Sequence, residues 1–309
     1  MEQPAVDDAT PAPPLSGAAA LRVHLALLVA QLSFGGFHVV AKAVLVELPP
    51  LALAGLRVAF ATPILVVLAW RHDRFIPSRR DLPVLALLGS LGVFGNQVFF
   101  IFGLERSTAT NAAILMTSLP VFAVAAAAVL GIERIGPRRL AGILLSVAGA
   151  LVLVNPFGFS TSGRTVLGNG LILLNALCYA LFLVLQRPVL ARIPWRTLVA
   201  WSFLLGGAGV LLVGAPTLAR VDLARVSIPT WLGVAYVVLF ATVLAYAVNT
   251  WAVRRSSPAL VAAYSTLQPL VTSALAAGFL GERFGWVEGI GFVLIVGGLW
   301  RVSARRPVS

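Results

Sequence analysis

A few polar and titratable side chains interrupt the long apolar runs of this chain of 309 residues. Gln31, His38 and Lys42 are spaced by seven and four residues, so on a helix they would share one face with Phe34. Arg57 lies about seven residues inside the next apolar run. Such side chains could bind a small polar solute, and His38 could also carry a proton near neutral pH.

Each of these residues also has a structural interpretation. Gln31 could form a helix–helix hydrogen bond, and Lys42 could extend its ammonium group to the membrane surface. Arg57 needs an anion or a set of carbonyl groups, which Glu47 or Glu105 could supply structurally and a substrate carboxylate functionally. The sequence leaves both alternatives open.

Further polar and aromatic side chains lie within later apolar runs, where a polar group is costly and is therefore a candidate for function. The substrate-binding candidates are Gln31, Phe34, His38, Arg57, Asn96, Gln97, Thr117, Asn175, Tyr179, Tyr246, Tyr264 and Gln268. Pro120 and Pro269 lie in the middle of their runs and would bend a helix, so we predict hinges there. A plain kink is the alternative for each alone, but their equivalent positions favour a functional hinge.

The elements that carry these residues are predicted to be membrane-spanning helices. The chain is 59% hydrophobic and 11% charged, with a mean hydropathy of +0.96, which a soluble protein of this size could not accommodate. Ten apolar segments are each near the ~20 residues that cross ~30 Å of hydrocarbon. They run approximately over 21–43, 50–70, 82–104, 108–131, 137–154, 166–190, 196–215, 228–251, 258–280 and 285–302. The sequence therefore predicts an all-α polytopic membrane protein with ten transmembrane helices.

The second half of the chain repeats the first at a constant offset of 149 residues. The matched pairs include Ser107 with Ser256, Thr117 with Thr266, Pro120 with Pro269, Glu133 with Glu282, Gly142 with Gly291 and Gly149 with Gly298. A weaker match at an offset of 145 pairs Phe34 with Tyr179 and Phe37 with Phe182. Since each half would hold five helices, the two repeats are predicted to be inverted in the membrane, as in secondary transporters.

The predicted organisation has two repeats between short tails. The boundaries are a disordered tail over 1–20, a first repeat over 21–155, an external linker over 156–165, a second repeat over 166–303 and a tail over 304–309. Most of the 23 Lys and Arg residues fall on one side of this arrangement, so both termini are predicted to be cytoplasmic. The first 20 residues lack the basic start and cleavage site of a signal peptide, so we expect the first helix to remain as an anchor.

Particular segments resemble a known family. Gly103-Leu-Glu-Arg-Ser-Thr-Ala-Thr-Asn-Ala-Ala-Ile, followed by Pro120 and Glu133, resembles the fourth helix of the EamA branch of the drug/metabolite transporter superfamily. Trp251-Ala-Val-Arg-Arg-Ser-Ser-Pro-Ala-Leu-Val-Ala-Ala-Tyr, followed by Pro269, resembles its ninth helix. Gln31-Leu-Ser-Phe-Gly-Gly-Phe-His and Arg57 are similar to the start of the plant walls-are-thin proteins and of amino-acid exporters. The resemblance implies a central cavity between helices one to four and six to nine, with helices five and ten outside.

Several other functions are not expected. The sequence has no phosphate-binding loop, metal-ligand cluster or nucleophile elbow, so we expect no ATPase, no cofactor and no enzyme. Cys178 is the single cysteine, so a disulfide within the chain is impossible. The net charge of +12 comes from short basic loops, which membrane topology explains better than a nucleic-acid partner does.

The expected function is export of amino acids or related compounds across the bacterial inner membrane by alternating access. The aromatic candidates favour an aromatic or amphipathic substrate. The alternatives are a multidrug or other metabolite exporter and, in a different class, a non-transporting membrane assembly protein. No carboxylate lies at the centre of a span, so facilitated or weakly coupled transport is favoured, with His38 as the candidate proton carrier. The sequence leaves monomer and homodimer equally open.

Overall fold

The computed structural model describes residues 17–107, 112, 115–154, 163–280 and 286–303. Within these ranges the regular structure is helical throughout and contains no strand, which confirms the all-α class for this part of the chain. The side chain of His38 lies outside the described part, as do the predicted tail over 304–309 and most of the linker over 156–165.

The helices follow the predicted apolar segments. In chain order they are α1 (Gly17–Val44), α2 (Pro50–His72), α3 (Leu82–Arg106), α4 (Leu119–Val129), α5 (Pro137–Val154), α6 (Gly163–Val189), α7 (Trp195–Leu218), α8 (Ile228–Arg255), α9 (Pro258–Tyr264), α10 (Leu267–Leu280) and α11 (Trp286–Ser303). In the described residues, six helices are long and apolar enough to cross a membrane, namely α1, α2, α3, α6, α7 and α8. The others are shorter, and the whole set indicates a multi-pass membrane protein.

Local sequence explains where several helices begin. α1 is described from Gly17, before the predicted start at 21, and the three alanines that follow Gly17 have high helix propensity. Pro50 and Pro258 lie in the first turns of α2 and α9, where the missing N–H of proline costs nothing. The hydroxyl of Ser257 also caps α9 by accepting a hydrogen bond from the Leu260 N–H.

Two of the long helices contain a π-helical segment in their middle. Ser90–Gly95 is the π turn of α3, and Leu239–Leu244 is the π turn of α8. The two segments are separated by 149 residues, which is the offset of the sequence repeat. π-helical turns are rare and occur frequently at functional sites.

The fourth and ninth predicted segments are interrupted by turns. The first turn lies at 117–118, directly before α4, and the second at 265–266, between α9 and α10. Pro120 and Pro269, the predicted hinge residues, lie in the first turn of the helix that follows each interruption. The described helices are thus broken immediately before both prolines.

Helices of the first half pack mainly on helices of the second half. α2 packs along α7, and α5 packs along α11. α1 packs against α8, α9 and α10, while α6 packs against α3 and α4. The buried centre of the molecule therefore lies at the interface between the two halves.

Glycines show the relative direction of α5 and α11. The backbone of Gly142 lies against that of Gly298, and the backbone of Gly149 lies against that of Gly291. Residue numbers rise along one helix as they fall along the other, so these helices are antiparallel. Their close approach depends on the absence of Cβ atoms at these positions.

Candidate substrate-binding site

Arg57 is buried in α2 and faces the π turn of α8. Its Nε donates to the hydroxyl of Thr242 at 2.5 Å, and one terminal nitrogen donates to the Ala241 carbonyl at 3.2 Å. The guanidinium also lies 5.0 Å from the centre of the Phe37 ring. Among the described residues, no carboxylate forms an ion pair with Arg57. The charge is therefore held by neutral acceptors and an aromatic face.

Glu47 and Glu105, the two possible structural partners of Arg57, form contacts with other residues. Glu47 accepts hydrogen bonds from the hydroxyl of Ser227 at 2.6 Å and from its backbone N–H at 2.8 Å. These bonds, led by the hydroxyl, lower the pKa of Glu47. Glu105 lies 3.4 Å from its neighbour Arg106.

Five aromatic rings surround the centre of the helix bundle. Tyr246 of α8 is 2% exposed and lies in the middle of the group. The centre of its ring lies 4.9 Å from that of Phe203, 5.8 Å from Tyr179, and 6.3 Å from both Phe34 and Phe182. This aromatic cluster joins α1, α6, α7 and α8, and it provides an apolar environment suited to a ring or aliphatic group.

The Tyr246 hydroxyl is bound to the π turn of α3. It lies 3.0 Å from the Gly92 carbonyl and 3.1 Å from the side-chain oxygen of Asn96, so its single proton has two acceptors. The side-chain amide of Asn175 donates to the backbone carbonyl of Asn96. Two second-half helices therefore hold the middle of α3 through polar contacts.

Several buried amide atoms next to this network have no hydrogen-bond partner among the described residues. They are both amide atoms of Gln97 and the side-chain oxygens of Asn175 and Asn249. Asn249 uses its nitrogen to donate to the Tyr179 hydroxyl at 3.0 Å. Because buried polar groups are nearly always paired, these atoms are suited to bind the polar groups of a ligand or water.

A second group of candidates joins α1 to the interrupted ninth segment. The amide nitrogen of Gln268 donates to the side-chain oxygen of Gln31 at 2.9 Å. The Nδ1 atom of His24 lies 2.6 Å from the hydroxyl of Tyr264, and their rings are stacked. The structure thus separates the predicted residues into a central group and a group at this interruption.

The remaining candidates lie at the helix breaks or outside the described part. Thr117 is buried in the turn before α4, and Pro120 is buried at the start of α4. Pro269 is half-buried in the first turn of α10. The side chain of His38 lies outside the described residues, so its predicted role stays a prediction.

Five side chains at the site were not among the predicted candidates, namely those of His24, Phe37, Phe182, Phe203 and Thr242. His24 had an available signal, because it is a titratable side chain inside the first apolar segment. Phe37 and Phe182 also had one, because they are partners in the sequence repeat. Nothing in the sequence distinguishes Phe203 or Thr242 from neighbouring residues of the same type.

Ion pairs join the two halves at one end of the bundle. Asp73 lies 3.0 Å from Arg196, and Asp81 pairs with Arg192. Asp81 also accepts a hydrogen bond from the Ser78 hydroxyl at 2.7 Å, and this bond is the main cause of a lowered pKa of Asp81. These contacts tie the connection between α2 and α3 to the start of α7.

Glu133 joins the end of the first half to a helix of the second half. Its carboxylate pairs with Arg139 and accepts the N–H of Ala259 at 3.3 Å, at the start of α9. The carboxylate thus stabilises a helix N-terminus of the second half. Its repeat partner Glu282 lies outside the described residues.

The sequence of this chain also matches the model of a known protein family. The model of the EamA-like transporter family matches residues 21–155 and 166–304. The chain belongs to the EamA-like transporter family.

Relatives of this EamA chain extend over most of its length. An uncharacterized transporter of Archaeoglobus fulgidus is 29% identical, over 92% of this chain and 98% of that protein. The "Probable amino-acid metabolite efflux pump" of Salmonella typhimurium is 32% identical, over 89% of this chain and 92% of the pump. Protein WALLS ARE THIN 1 of Arabidopsis thaliana is 28% identical, over 91% of this chain and 82% of the plant protein.

A solved crystal structure has the same fold as the EamA chain. The TM-score is 0.76 at 20% identity, and the match covers 91% of this chain and 96% of the other. The family and its bacterial and archaeal relatives are named as transporters, not as enzymes.

Proposed function

We propose that this EamA protein is a secondary transporter that exports amino acids or related carboxylates across the bacterial inner membrane. The observation that carries the proposal is Arg57, a buried cation whose partners among the described residues are neutral. A guanidinium binds a carboxylate through two parallel charge-assisted hydrogen bonds, which are stronger than bonds to neutral acceptors. A substrate carboxylate would therefore compete well for Arg57.

The surroundings of Arg57 suit the rest of such a substrate. The aromatic cluster around Tyr246 would contact an aromatic or aliphatic side chain. The unpartnered oxygens of Asn175 and Asn249 are acceptors for an ammonium group. A neutral acceptor is weaker than a carboxylate, so this site favours a zwitterion or an anion over a cationic drug.

The packing supports ten spanning helices in two inverted five-helix repeats. α5 and α11 occupy equivalent places in the sequence repeat and are antiparallel. The contacts of α1 with α8 to α10 correspond to those of α6 with α3 and α4. The two π turns share the repeat offset. In this arrangement Pro120 and Pro269 are equivalent hinges, and the halves would rock about the central site.

Export and the bacterial inner membrane are proposed from the relatives and from the basic loops. The Salmonella typhimurium relative is named as an efflux pump for amino-acid metabolites. Arg192, in the connection between α6 and α7, and Arg196, in the first turn of α7, would lie on the cytoplasmic side together with both chain termini. No cofactor is part of this proposal, and monomer and homodimer remain equal alternatives.

The test is uptake of radiolabelled phenylalanine by liposomes that contain the purified protein. Arg57→Ala should reduce uptake by about 10- to 100-fold, which corresponds to the loss of a hydrogen bond to a charged group. Arg57→Lys should recover little, because an ammonium group lacks the planar fork. Arg106→Ala is the matched control, since Arg106 also lies over a ring, that of Phe102 at 5.5 Å, but at the end of α3.

Three results would contradict the proposal. If the Arg57→Ala protein is monodisperse and takes up phenylalanine as fast as wild type, Arg57 does not bind the substrate. Liposomes that move a cationic drug but no phenylalanine would favour a multidrug exporter, and liposomes that move neither would favour an assembly protein.

A further inference from the structure

Two backbone carbonyls at equivalent positions of the repeat are bound by side chains from opposite halves. The Gly92 carbonyl, in the π turn of α3, accepts a hydrogen bond from the Tyr246 hydroxyl at 3.0 Å. The Ala241 carbonyl, in the π turn of α8, accepts one from Arg57 at 3.2 Å. Positions 92 and 241 are separated by 149 residues, the offset of the repeat.

Each of these bonds crosses between the halves of the chain. Tyr246 belongs to the second half and binds the first-half turn, whereas Arg57 belongs to the first half and binds the second-half turn. In a π turn the bonds run from residue i to residue i+5, so the regular α-helical pairing of carbonyls is interrupted. A carbonyl at such a turn is available to an outside donor, and both turns use it in the same way.

The aromatic neighbours of the two bonds are also repeat partners. The Phe182 ring packs against Gly92, where a Cβ atom would overlap the ring. The Phe37 ring lies beneath Arg57. Phe37 and Phe182 are paired at the offset of 145 residues. The two sites therefore have the same plan: a π-turn carbonyl, a phenyl ring, and one donor from the other half.

We propose that Tyr246 and Arg57 are paired latches, which hold the two π turns in the ligand-free protein and are released when the substrate binds. This inference rests on the proposed carboxylate site at Arg57. A carboxylate that takes the guanidinium removes the donor from the Ala241 carbonyl. An aromatic group that enters the cluster displaces the Tyr246 ring and removes the donor from the Gly92 carbonyl.

Release of both latches would free the halves to move. Each latch joins one half to the turn of the other, so a single open latch leaves the second in place. Only a substrate that has both a carboxylate and an apolar group can open both. Tyr246 and Arg57 would thus link recognition of the substrate to the conformational change, and they would slow but not prevent the return of the empty carrier that net transport requires.

The first test is hydrogen–deuterium exchange of the ligand-free protein in the two turns. Tyr246→Phe should speed exchange in Ser90–Gly95 by about fivefold and leave Leu239–Leu244 unchanged, because it deletes one hydrogen bond. Arg57→Met should speed exchange in Leu239–Leu244 and leave Ser90–Gly95 unchanged. The two variants thus serve as controls for each other.

Tyr236→Phe is the matched control for the loss of a hydroxyl. Its hydroxyl donates to the Ser33 carbonyl at 3.1 Å and also joins α8 to α1, but this hydroxyl bonds to neither π turn. The Tyr236 ring stacks on Phe240 of the α8 turn at 5.3 Å, a contact that phenylalanine retains. We expect this variant to exchange like wild type in both turns. Equal acceleration of both turns by Tyr246→Phe, or no acceleration, would overturn the inference.

The second test needs no substitution, because Cys178 is the only cysteine and packs against the π turn of α3. Its Sγ would lie 3.2 Å from a Cβ atom at Gly95, and the side chain is buried. Phenylalanine should speed alkylation of Cys178 by a membrane-permeant maleimide about fivefold in wild type.

The two measurements separate a failure of the latch inference from a failure of the proposed substrate. If liposomes take up phenylalanine but Cys178 alkylation does not change, the latch inference is wrong and the proposed function stands. If no phenylalanine is taken up but the two variants accelerate exchange reciprocally, the latches stand and the proposed substrate is wrong.

Discussion

At the residue scale, His24 is a second candidate for a proton carrier, beside His38. The chain has three histidines, of which His24 and His38 lie in α1 and His72 ends α2. His24 is half-buried and contacts Tyr264 immediately before the interruption between α9 and α10. A proton on its ring would change this contact, because Nδ1 would then be a donor only.

We expect His24→Gln to remove the dependence of uptake on a pH gradient while downhill exchange continues. Glutamine can still bond to Tyr264, but it cannot take up a proton. His72→Gln, at an exposed position, should retain the full response and serves as the control. The same response in His24→Gln as in His72→Gln, measured in liposomes with an imposed pH gradient, would exclude this role and leave His38 to be tested.

The burial of Arg57 could be predicted from the sequence, but its partners could not. Its position within an apolar run was sufficient to place it inside the helix bundle, and its carboxylate ligand stays a prediction. Thr242 and Ala241, which bind it, lie 185 and 184 residues away. Contacts between distant helices depend on how those helices rotate and pack, and hydropathy contains no information about rotation between a pair of helices.

At the element scale, the apolar segments were sufficient to locate the helices but not their irregular parts. The segment predicted over 82–104 corresponds to Leu82–Arg106, and the prolines indicated where the fourth and ninth segments are interrupted. The π turns were not predicted. One extra residue in a helical turn changes the period too little to be visible in an almost uniformly apolar run.

Close packing of α3 on α7 yields a prediction of its own. A Cβ atom at Gly206 would overlap the backbone of Gly89, which cannot move without displacing α3. We expect Gly206→Ala to destabilise the protein by about 1–3 kcal/mol, as overpacked sites do, and to lower the melting temperature of the purified protein.

Gly170→Ala is the control for this substitution. Gly170 lies in α6, and a Cβ atom there would meet nothing within 4 Å. Alanine is also the better helix former by roughly 1 kcal/mol. Its melting temperature should be equal to or higher than that of wild type. If the two variants have equal melting temperatures, the backbones of α3 and α7 are not in direct contact at Gly89 and Gly206.

At the scale of the whole molecule, the inverted repeat predicts the position of both termini. Alkaline phosphatase, which is active only outside the cytoplasm, should give no signal when fused after Ser309. The same enzyme inserted in the linker over 156–165 should be active, because five helices separate this linker from the first residues. Strong signals at both sites would require an even number of spans between the linker and Ser309 and would refute the inverted five-helix repeat. A signal at Ser309 alone would instead reverse the proposed orientation.

The pairing of helices across the halves also determines how long newly made α1 waits for its partners during synthesis. His24 and its partner Tyr264 are 240 residues apart, and Gln31 and its partner Gln268 are 237 apart. At about 5–20 residues per second, a ribosome needs roughly 12 to 48 s to make the chain between them. During this interval α1 holds two polar side chains in the membrane without their final partners. Newly made α1 must therefore be sheltered, by the insertion machinery or by neighbouring helices, until the ninth segment emerges.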